Sequence, residues 1–179
     1  PGRYTVRMTN DNKVYTMPLE VVPDPRETYT MADRRAQFAL ANRIAAMLSD
    51  MSSTVDRMNA VRAALEARAG KLPSGDALAE KLRSASTDVD SMRRKIVATK
   101  EGGMITGEER LRENLTDLYS NVVFYDGPPS QMELDRTEAI GRELADVAAA
   151  LDTWSAKDLV SLNADLKARN LDPIVSRSP

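Results

Sequence analysis

The side chains that most often carry catalysis or bind metals are missing from this chain. Its 179 residues include no His and no Cys. Without them the sequence can form no Ser-His-Asp triad, no thiol nucleophile, no disulfide and no metal site with His or Cys ligands. Any chemistry would have to come from carboxylates, phenols and hydroxyls.

Carboxylates occur in close pairs at three places. The pairs are Asp88 with Asp90, Glu108 with Glu109, and Glu133 with Asp135. Paired carboxyl groups can hydrolyse glycosides when an apolar environment raises the pKa of one of them. These pairs fall on polar faces or in first turns of predicted helices, where the helix dipole stabilises acids, so we interpret them as solvated. A hydrolase that uses carboxylates, or Tyr119 and Tyr125, is the least favoured alternative.

Two further motifs do not meet the requirements of a ligand site. The glycines between residues 102 and 107 are not followed by the Lys-Ser/Thr of a phosphate-binding loop, and no strand precedes them. The Asp88-Val89-Asp90 segment lacks the Gly that a calcium-binding EF-hand loop needs at its sixth position. We therefore expect no cofactor and no catalytic, cofactor-binding or metal-ligating residue.

The charge balance also limits the partners. The chain has 25 Lys and Arg against 27 Asp and Glu, a net charge of −2, and therefore lacks the basic excess of a nucleic-acid-binding protein. No apolar run approaches the roughly 20 residues that span a bilayer, so no membrane span is predicted. Because the chain begins Pro1-Gly2 without an initiator Met, we expect it to be a piece of a longer protein.

Residues 1–25 are predicted to form a β-hairpin. Apolar and polar side chains alternate on both sides of the turn-rich Asn10-Asp11-Asn12, a period typical of β-strands. Pro18 removes a backbone donor, which favours an edge strand. Six apolar side chains share one face of the two strands: Tyr4, Val6, Met8, Tyr15, Met17 and Leu19.

Residues 26–179 are predicted to form a helical bundle, because their apolar residues repeat with the 3-4 spacing of packed helices. One stripe runs over about 40 residues after Thr30, and Arg62 interrupts it. Three more stripes follow, and the register of the last one slips after Trp154. We interpret the slip as a break followed by a short fifth helix. The second stripe consists of Leu78, Leu82, Ala85, Val89, Met92 and Ile96, and the third of Leu111, Leu115, Leu118, Val122 and Tyr125. The fourth consists of Ile140, Leu144, Val147, Leu151 and Trp154, and after the slip it continues with Leu159, Leu162 and Leu166.

Helix starts are predicted at three capping sequences, in which a hydroxyl and an acidic side chain satisfy free backbone amides. They begin at Thr30, Thr106 and Ser130. Because short loops make consecutive helices antiparallel, we expect a mainly α fold: an up-down-up-down four-helix bundle with a short fifth helix, preceded by the hairpin.

Met47, Met51 and Met58 form a stripe on the first helix. Methionine can make an adaptable binding surface, but at core spacing it more often fills gaps in a core. We favour the core. The long helix and this stripe leave a partner-binding or self-associating helical module as the alternative function.

The hairpin has no obvious partner strands in the rest of the chain. A two-stranded hairpin is marginally stable alone, and its apolar face needs cover. It therefore resembles the end of a truncated β-sandwich whose other strands precede residue 1. We expect the six apolar residues of its face to contact those strands.

Three segments resemble one family of large bacterial proteins. PGRYTVRMTNDNKVYTMPLEVVPDPR, residues 1–26, is similar to the last strands of the Ig-like module in the sortilin/Vps10-like, BNR-repeat, glycosyl hydrolase-like group. Residues 105–136 and 157–174 resemble the C-terminal helical region of the same proteins. The resemblance covers nearly the whole chain.

The resemblance implies a parent protein with an N-terminal propeller, an Ig-like module and this helical region, exported to the periplasm or secreted. Any sugar chemistry would belong to the propeller, so no catalytic residue is carried over to this chain. The expected function is a non-catalytic C-terminal accessory module. Its expected partners are the upstream domains of the same polypeptide and a possible homo-oligomer.

Overall fold

A computed structural model describes residues 1–100 and 107–176. It is mainly helical and contains one two-stranded antiparallel sheet, which confirms the predicted fold class at this level. The elements in chain order are β1 (Gly2–Asn10), β2 (Lys13–Val21), α1 (Met31–Ala69), α2 (Ala77–Ile96), α3 (Leu111–Phe124), α4 (Gln131–Trp154), a π turn (Ser155–Leu159) and α5 (Val160–Ala168).

The hairpin closes through a two-residue turn at Asp11 and Asn12. Both residues have positive φ, at 45° and 63°, as a type I′ turn requires, and Asp and Asn tolerate this conformation better than most residues. The register places Tyr4 opposite Leu19, Val6 opposite Met17 and Met8 opposite Tyr15. The six predicted face residues are therefore three cross-strand pairs.

Two of the three predicted helix starts are confirmed. At the start of α1, the Thr30 hydroxyl accepts a hydrogen bond from the Asp33 amide at 3.2 Å, and the Thr30 amide donates to the Asp33 carboxylate at 2.8 Å. Ser130 and Glu133 form the same capping box at the start of α4. These reciprocal bonds satisfy amides that a helix leaves free at its first turn.

The third predicted start, at Thr106, lies outside the described residues. Helix α3 begins later, at Leu111, and the Glu113 carboxylate accepts from the Arg110 amide at 3.0 Å. Glu109, the acid of that predicted capping box, is exposed, and its neighbour Glu108 accepts from the backbone amides of Thr99 and Lys100. Glu108 thus joins the two ends of the connection between α2 and α3.

The apolar stripes form the core, as their spacing predicts. Met51 and Met58 are buried and Met47 packs against the same core, which agrees with the core interpretation of the stripe; Met47 and Met51 also line a groove of about 250 Å³. Tyr125 departs from the prediction because it is exposed. The fully buried large side chains come from α1 to α5: Ile44, Met58, Val61, Leu65, Leu82, Val89, Ile96, Leu115, Ile140, Leu151 and Leu166, with the polar Thr137 among them.

Helix α1 runs antiparallel to both α2 and α3. Residues 70–76 turn the chain from α1 into α2, and Arg62 of α1 contacts Asp90 of α2. At the other end of α1, the Gln37 side chain donates to the Val122 carbonyl near the end of α3, at 2.8 Å. Helices α2 and α3 therefore follow one another along α1 in the same direction.

Helices α4 and α5 run parallel to α1. Arg43 is paired with Glu138 near one end, and Arg57 is paired with Asp152 further along both helices. The helix directions therefore differ from the alternating up-down-up-down order that short loops predict. The 39 residues of α1, about 58 Å long, have room for both α2 and α3 along one side. The connection over residues 97–110 is long enough to let the chain keep its direction.

The register slip after Trp154 is a π turn rather than a break. The backbone dihedral angles on both sides of Ser155–Leu159 are helical, and the helix continues from α4 into α5. A π turn adds residues to one turn of the helix, which moves the apolar stripe from Trp154 to Leu159. Both of these side chains are buried.

Candidate functional site

The apolar face of the hairpin is open to solvent. Its six side chains are between 47% and 69% exposed, and neither strand packs extensively against a helix in the described part of the chain. Such a contiguous exposed apolar face commonly marks an interaction surface. The six residues, which we call the hairpin face, are Tyr4, Val6, Met8, Tyr15, Met17 and Leu19.

A groove of about 480 Å³ lies at the base of the hairpin, between the strands and the first turns of α1. Tyr4 and Val22 line it from the hairpin side, and Met31, Arg35 and Phe38 line it from α1. Phe38 is 69% exposed although it is a large aromatic residue. The sequence prediction missed Phe38, but its position outside the apolar stripe of α1 is a signal that could have identified it.

Polar contacts hold the linker after the hairpin to the bundle. Arg34 donates to Glu27 at 2.6 Å in the linker and to Asp126 at 2.9 Å after α3. Gln37 also donates to the carbonyls of Val122 and Tyr125, which are free acceptors at the end of α3. The linker, α1 and α3 are therefore tied together where the groove opens.

Gly127 allows two aromatic rings to meet next to this junction. A Cβ atom at this position would lie 2.7 Å from a ring carbon of Tyr125 and 3.0 Å from one of Tyr29. A hydrogen bond with the neighbouring phenol of Tyr125 raises the pKa of Tyr29. Of the two tyrosines considered for catalysis, Tyr125 is exposed here and Tyr119 packs partly against the core.

Asp90 is a carboxylate that the sequence analysis placed incorrectly in solvent. It is only 8% exposed and pairs with Arg62 at 3.2 Å, Arg93 at 2.9 Å and Arg94 at 2.6 Å. Burial raises the pKa of Asp90, but hydrogen bonds from Arg93 and Arg94 outweigh it and the pKa is lowered. This pairing also explains why Arg62 interrupts the apolar stripe of α1.

Of the remaining paired carboxylates, Asp88, Glu109 and Asp135 are exposed, as predicted. Asp135 accepts from Gln131 at 2.8 Å, and Glu133 caps α4. Among the described carboxyl groups with a resolved shift, every pKa is lowered, whereas a general acid at neutral pH needs a raised one. Within residues 1–100 and 107–176, no three acidic side chains come together as a metal site.

Glu108 makes a pH-dependent contribution to stability that can be measured. Hydrogen bonds from the amide of Thr99, from Arg110 and from the amide of Lys100 lower the pKa of Glu108 to about 2. Because the folded-state pKa is depressed, its stabilisation is present above the unfolded value near 4.5 and is lost as the pH falls toward 2. We expect the melting temperatures of wild type and Glu108→Gln to differ at pH 6 and to converge between about pH 4.5 and 2.

Glu109→Gln is the matched control for this measurement, because it removes the same charge from the exposed neighbouring position. Comparing the two variants separates the contacts of Glu108 from the effect of net charge. A difference between wild type and Glu108→Gln that stays constant from pH 6 to pH 2 would contradict the assignment.

No helix in the described part of the chain combines the length and the apolar character needed to cross a lipid bilayer. Comparisons with models of known protein families, with curated proteins and with solved structures gave no match.

Proposed function

We propose that this chain is a non-catalytic C-terminal accessory module of an exported BNR-repeat propeller protein. In this proposal the hairpin packs against the strands of a preceding Ig-like module, and the helical bundle stands behind it as a structural or spacing element. The observation that carries the proposal is the solvent exposure of the hairpin face. The propeller parent, its glycosyl hydrolase-like character and its exported location come from the sequence resemblance alone.

The low stability expected of an uncovered hairpin supports the proposal that a partner covers the hairpin face. A two-stranded sheet with no covered face is marginally stable in water, and its side chains contribute little while they remain half exposed. Covering each of these apolar side chains would contribute on the order of 1 kcal/mol. An apolar β-sheet laid on the hairpin face would thus stabilise the two strands and remove an exposed apolar surface.

The junction at the base supports a structural role. Arg34 bridges the linker and the loop after α3, and its side chain is only 19% exposed. A half-buried arginine that donates to two carboxylates holds them more firmly than a lone surface ion pair does. The linker that leads from the hairpin into α1 is therefore fixed to the bundle at this junction.

The test is the oxidation of methionines by dilute hydrogen peroxide, which modifies exposed thioethers. Met8 and Met17 lie on the hairpin face, and both are exposed in this chain. We expect their oxidation to slow at least about tenfold when the natural polypeptide includes the residues before position 1, because a covered thioether reacts more slowly. Mass spectrometry of the two proteins would measure the rates.

Met132 is the internal control, because it is 77% exposed at the start of α4, in the helical part of the chain. Its oxidation rate should be the same in both proteins. Equal oxidation of Met8 and Met17 in the two proteins would contradict the proposed function.

Self-association is the second candidate function. Most of the methionine stripe of α1 packs in the core, but Phe38, Phe124 and Met132 are large exposed apolar residues near the start of α1, the end of α3 and the start of α4. A groove of about 630 Å³ between α3 and α4 also opens there. Sedimentation at increasing concentration would detect a dimer, and a monomer at every concentration would contradict this candidate.

A further inference from the structure

The two edges of the hairpin are chemically different. A two-residue turn is closed by a hydrogen-bonded pair, here Asn10 and Lys13, and hydrogen-bonded and non-hydrogen-bonded pairs then alternate along the ladder. Thr5 opposite Pro18 is therefore a non-hydrogen-bonded pair, whose backbone groups point away from the partner strand. The ring nitrogen of Pro18 thus lies on the free edge of β2.

Pro18 blocks the free edge of β2 for strand addition. The outward donors on that edge would come from Val14, Thr16, residue 18 and Glu20, and proline removes one from the middle of this row. The free edge of β1 keeps a complete row. Its outward amides belong to Arg3, Thr5, Arg7 and Thr9.

The charges on β1 specify what kind of strand fits there. Arg3 lies 3.9 Å from Glu20 across the hairpin. Arg7 lies opposite Thr16 and forms no ion pair within residues 1–100 and 107–176. A strand beside β1 that carries a carboxylate next to Arg7 would supply the missing opposite charge.

These charges disfavour a second copy of the chain as the added strand. To keep the apolar residues on one face, β1 would pair antiparallel with β1 of the other copy in a register that places even-numbered residues opposite even-numbered ones, because side chains alternate along a strand. Arg3 and Arg7 of both copies would then lie close together on one face of the two adjacent β1 strands. Like charges on neighbouring strands are destabilising.

We propose that β1 is the docking edge of this module. Its occupant is an antiparallel strand from the segment that precedes residue 1, apolar on the side of the hairpin face and acidic on the side of Arg7. This inference rests on the proposed function and adds to it the edge at which the upstream module joins and the chemistry of the joining strand.

Residue-resolved hydrogen exchange tests the edge. In the natural polypeptide with its preceding residues, the amides of Arg3, Thr5, Arg7 and Thr9 should exchange at least about tenfold more slowly than in residues 1–179 alone. The amides of Val14, Thr16 and Glu20 on the other edge should exchange equally fast in both. Slow exchange on the β2 edge instead, or on neither edge, would overturn the inference.

The outcomes separate this inference from the proposed function, because methionine oxidation reports cover on the face and hydrogen exchange reports pairing at the edge. Protected Met8 and Met17 with a fast-exchanging β1 edge would leave the proposed function standing and refute the docking edge. Protection of the β1 amides in residues 1–179 alone, together with a dimeric mass, would identify a second copy as the occupant and also refute it.

A matched pair of variants provides an independent measurement. Thr5→Pro removes an outward donor from β1, and Thr16→Pro removes one from β2, and both positions belong to non-hydrogen-bonded pairs. In residues 1–179 the two variants should change hairpin exchange to a similar extent. In the longer polypeptide Thr5→Pro should abolish the protection of the β1 edge and Thr16→Pro should preserve it; equal effects there would overturn the inference.

Discussion

Replacing Ile44 or Leu65 with Ala is expected to destabilise the whole bundle by about 2 to 5 kcal/mol, the cost of deleting a large buried side chain. Both side chains are fully buried, Leu65 in the half of α1 beside α2 and Ile44 in the half beside α3. Because α1 is one continuous helix shared by both halves, each variant should shift the same cooperative transition. Urea unfolding followed by circular dichroism measures this.

Phe38→Ala is the control on the same helix. Phe38 is large and apolar but exposed, so its removal from this chain should change the free energy of unfolding by no more than about 0.5 kcal/mol. Two separate transitions, with Ile44→Ala affecting only one and Leu65→Ala only the other, would show that the two halves of α1 unfold independently.

Ile174→Ala is expected to release the C-terminal segment and to lower the free energy of unfolding by about 2 kcal/mol. This value is near the lower end of the range for replacing a buried Ile with Ala, because the segment can detach without unfolding the bundle. Ile174 is only 3% exposed although it follows the last helix. The Asn163 side chain accepts from the Ile174 amide at 2.7 Å and donates to the Ile174 carbonyl at 2.9 Å. Limited proteolysis with mass spectrometry should show faster cleavage within residues 170–176.

Val175→Ala is the neighbouring control, because Val175 is exposed and should leave both stability and cleavage nearly unchanged. Arg68 donates to the carbonyls of Asp172 and Pro173, and Arg57 donates to that of Ser176. If these backbone bonds alone hold the segment, Ile174→Ala will be cleaved no faster than Val175→Ala, which would contradict the prediction.

Local patterns predicted most of the secondary structure because their causes act within a few residues. The capping boxes at Thr30 and Ser130 need only the residues of one helical turn. The hairpin register follows from strand alternation around the turn at Asp11 and Asn12. The five-residue step from Trp154 to Leu159 marked the π turn, although the sequence did not distinguish that turn from a break.

Long-range contacts account for what the patterns missed. Asp90 has the spacing of a surface acid, and the packing of α1 against α2 both buries it and adds Arg62 to its neighbours Arg93 and Arg94 of the same helix. Arg34 and Gln37 occupy positions where the apolar stripe of α1 would continue. They are polar because the end of α3, far along the chain, presents acceptors to them there.

The sequence by itself determined the helices, their buried faces, the hairpin and the exposed apolar pairs on it, because periodicity and capping depend on neighbouring residues. Only the tertiary structure decided that α2 and α3 run in the same direction along α1, that Asp90 is buried and that the hairpin stands clear of the helices. These features depend on which distant surfaces meet. The packing of whole helices determines which surfaces meet, and the local spacing of residues does not predict it.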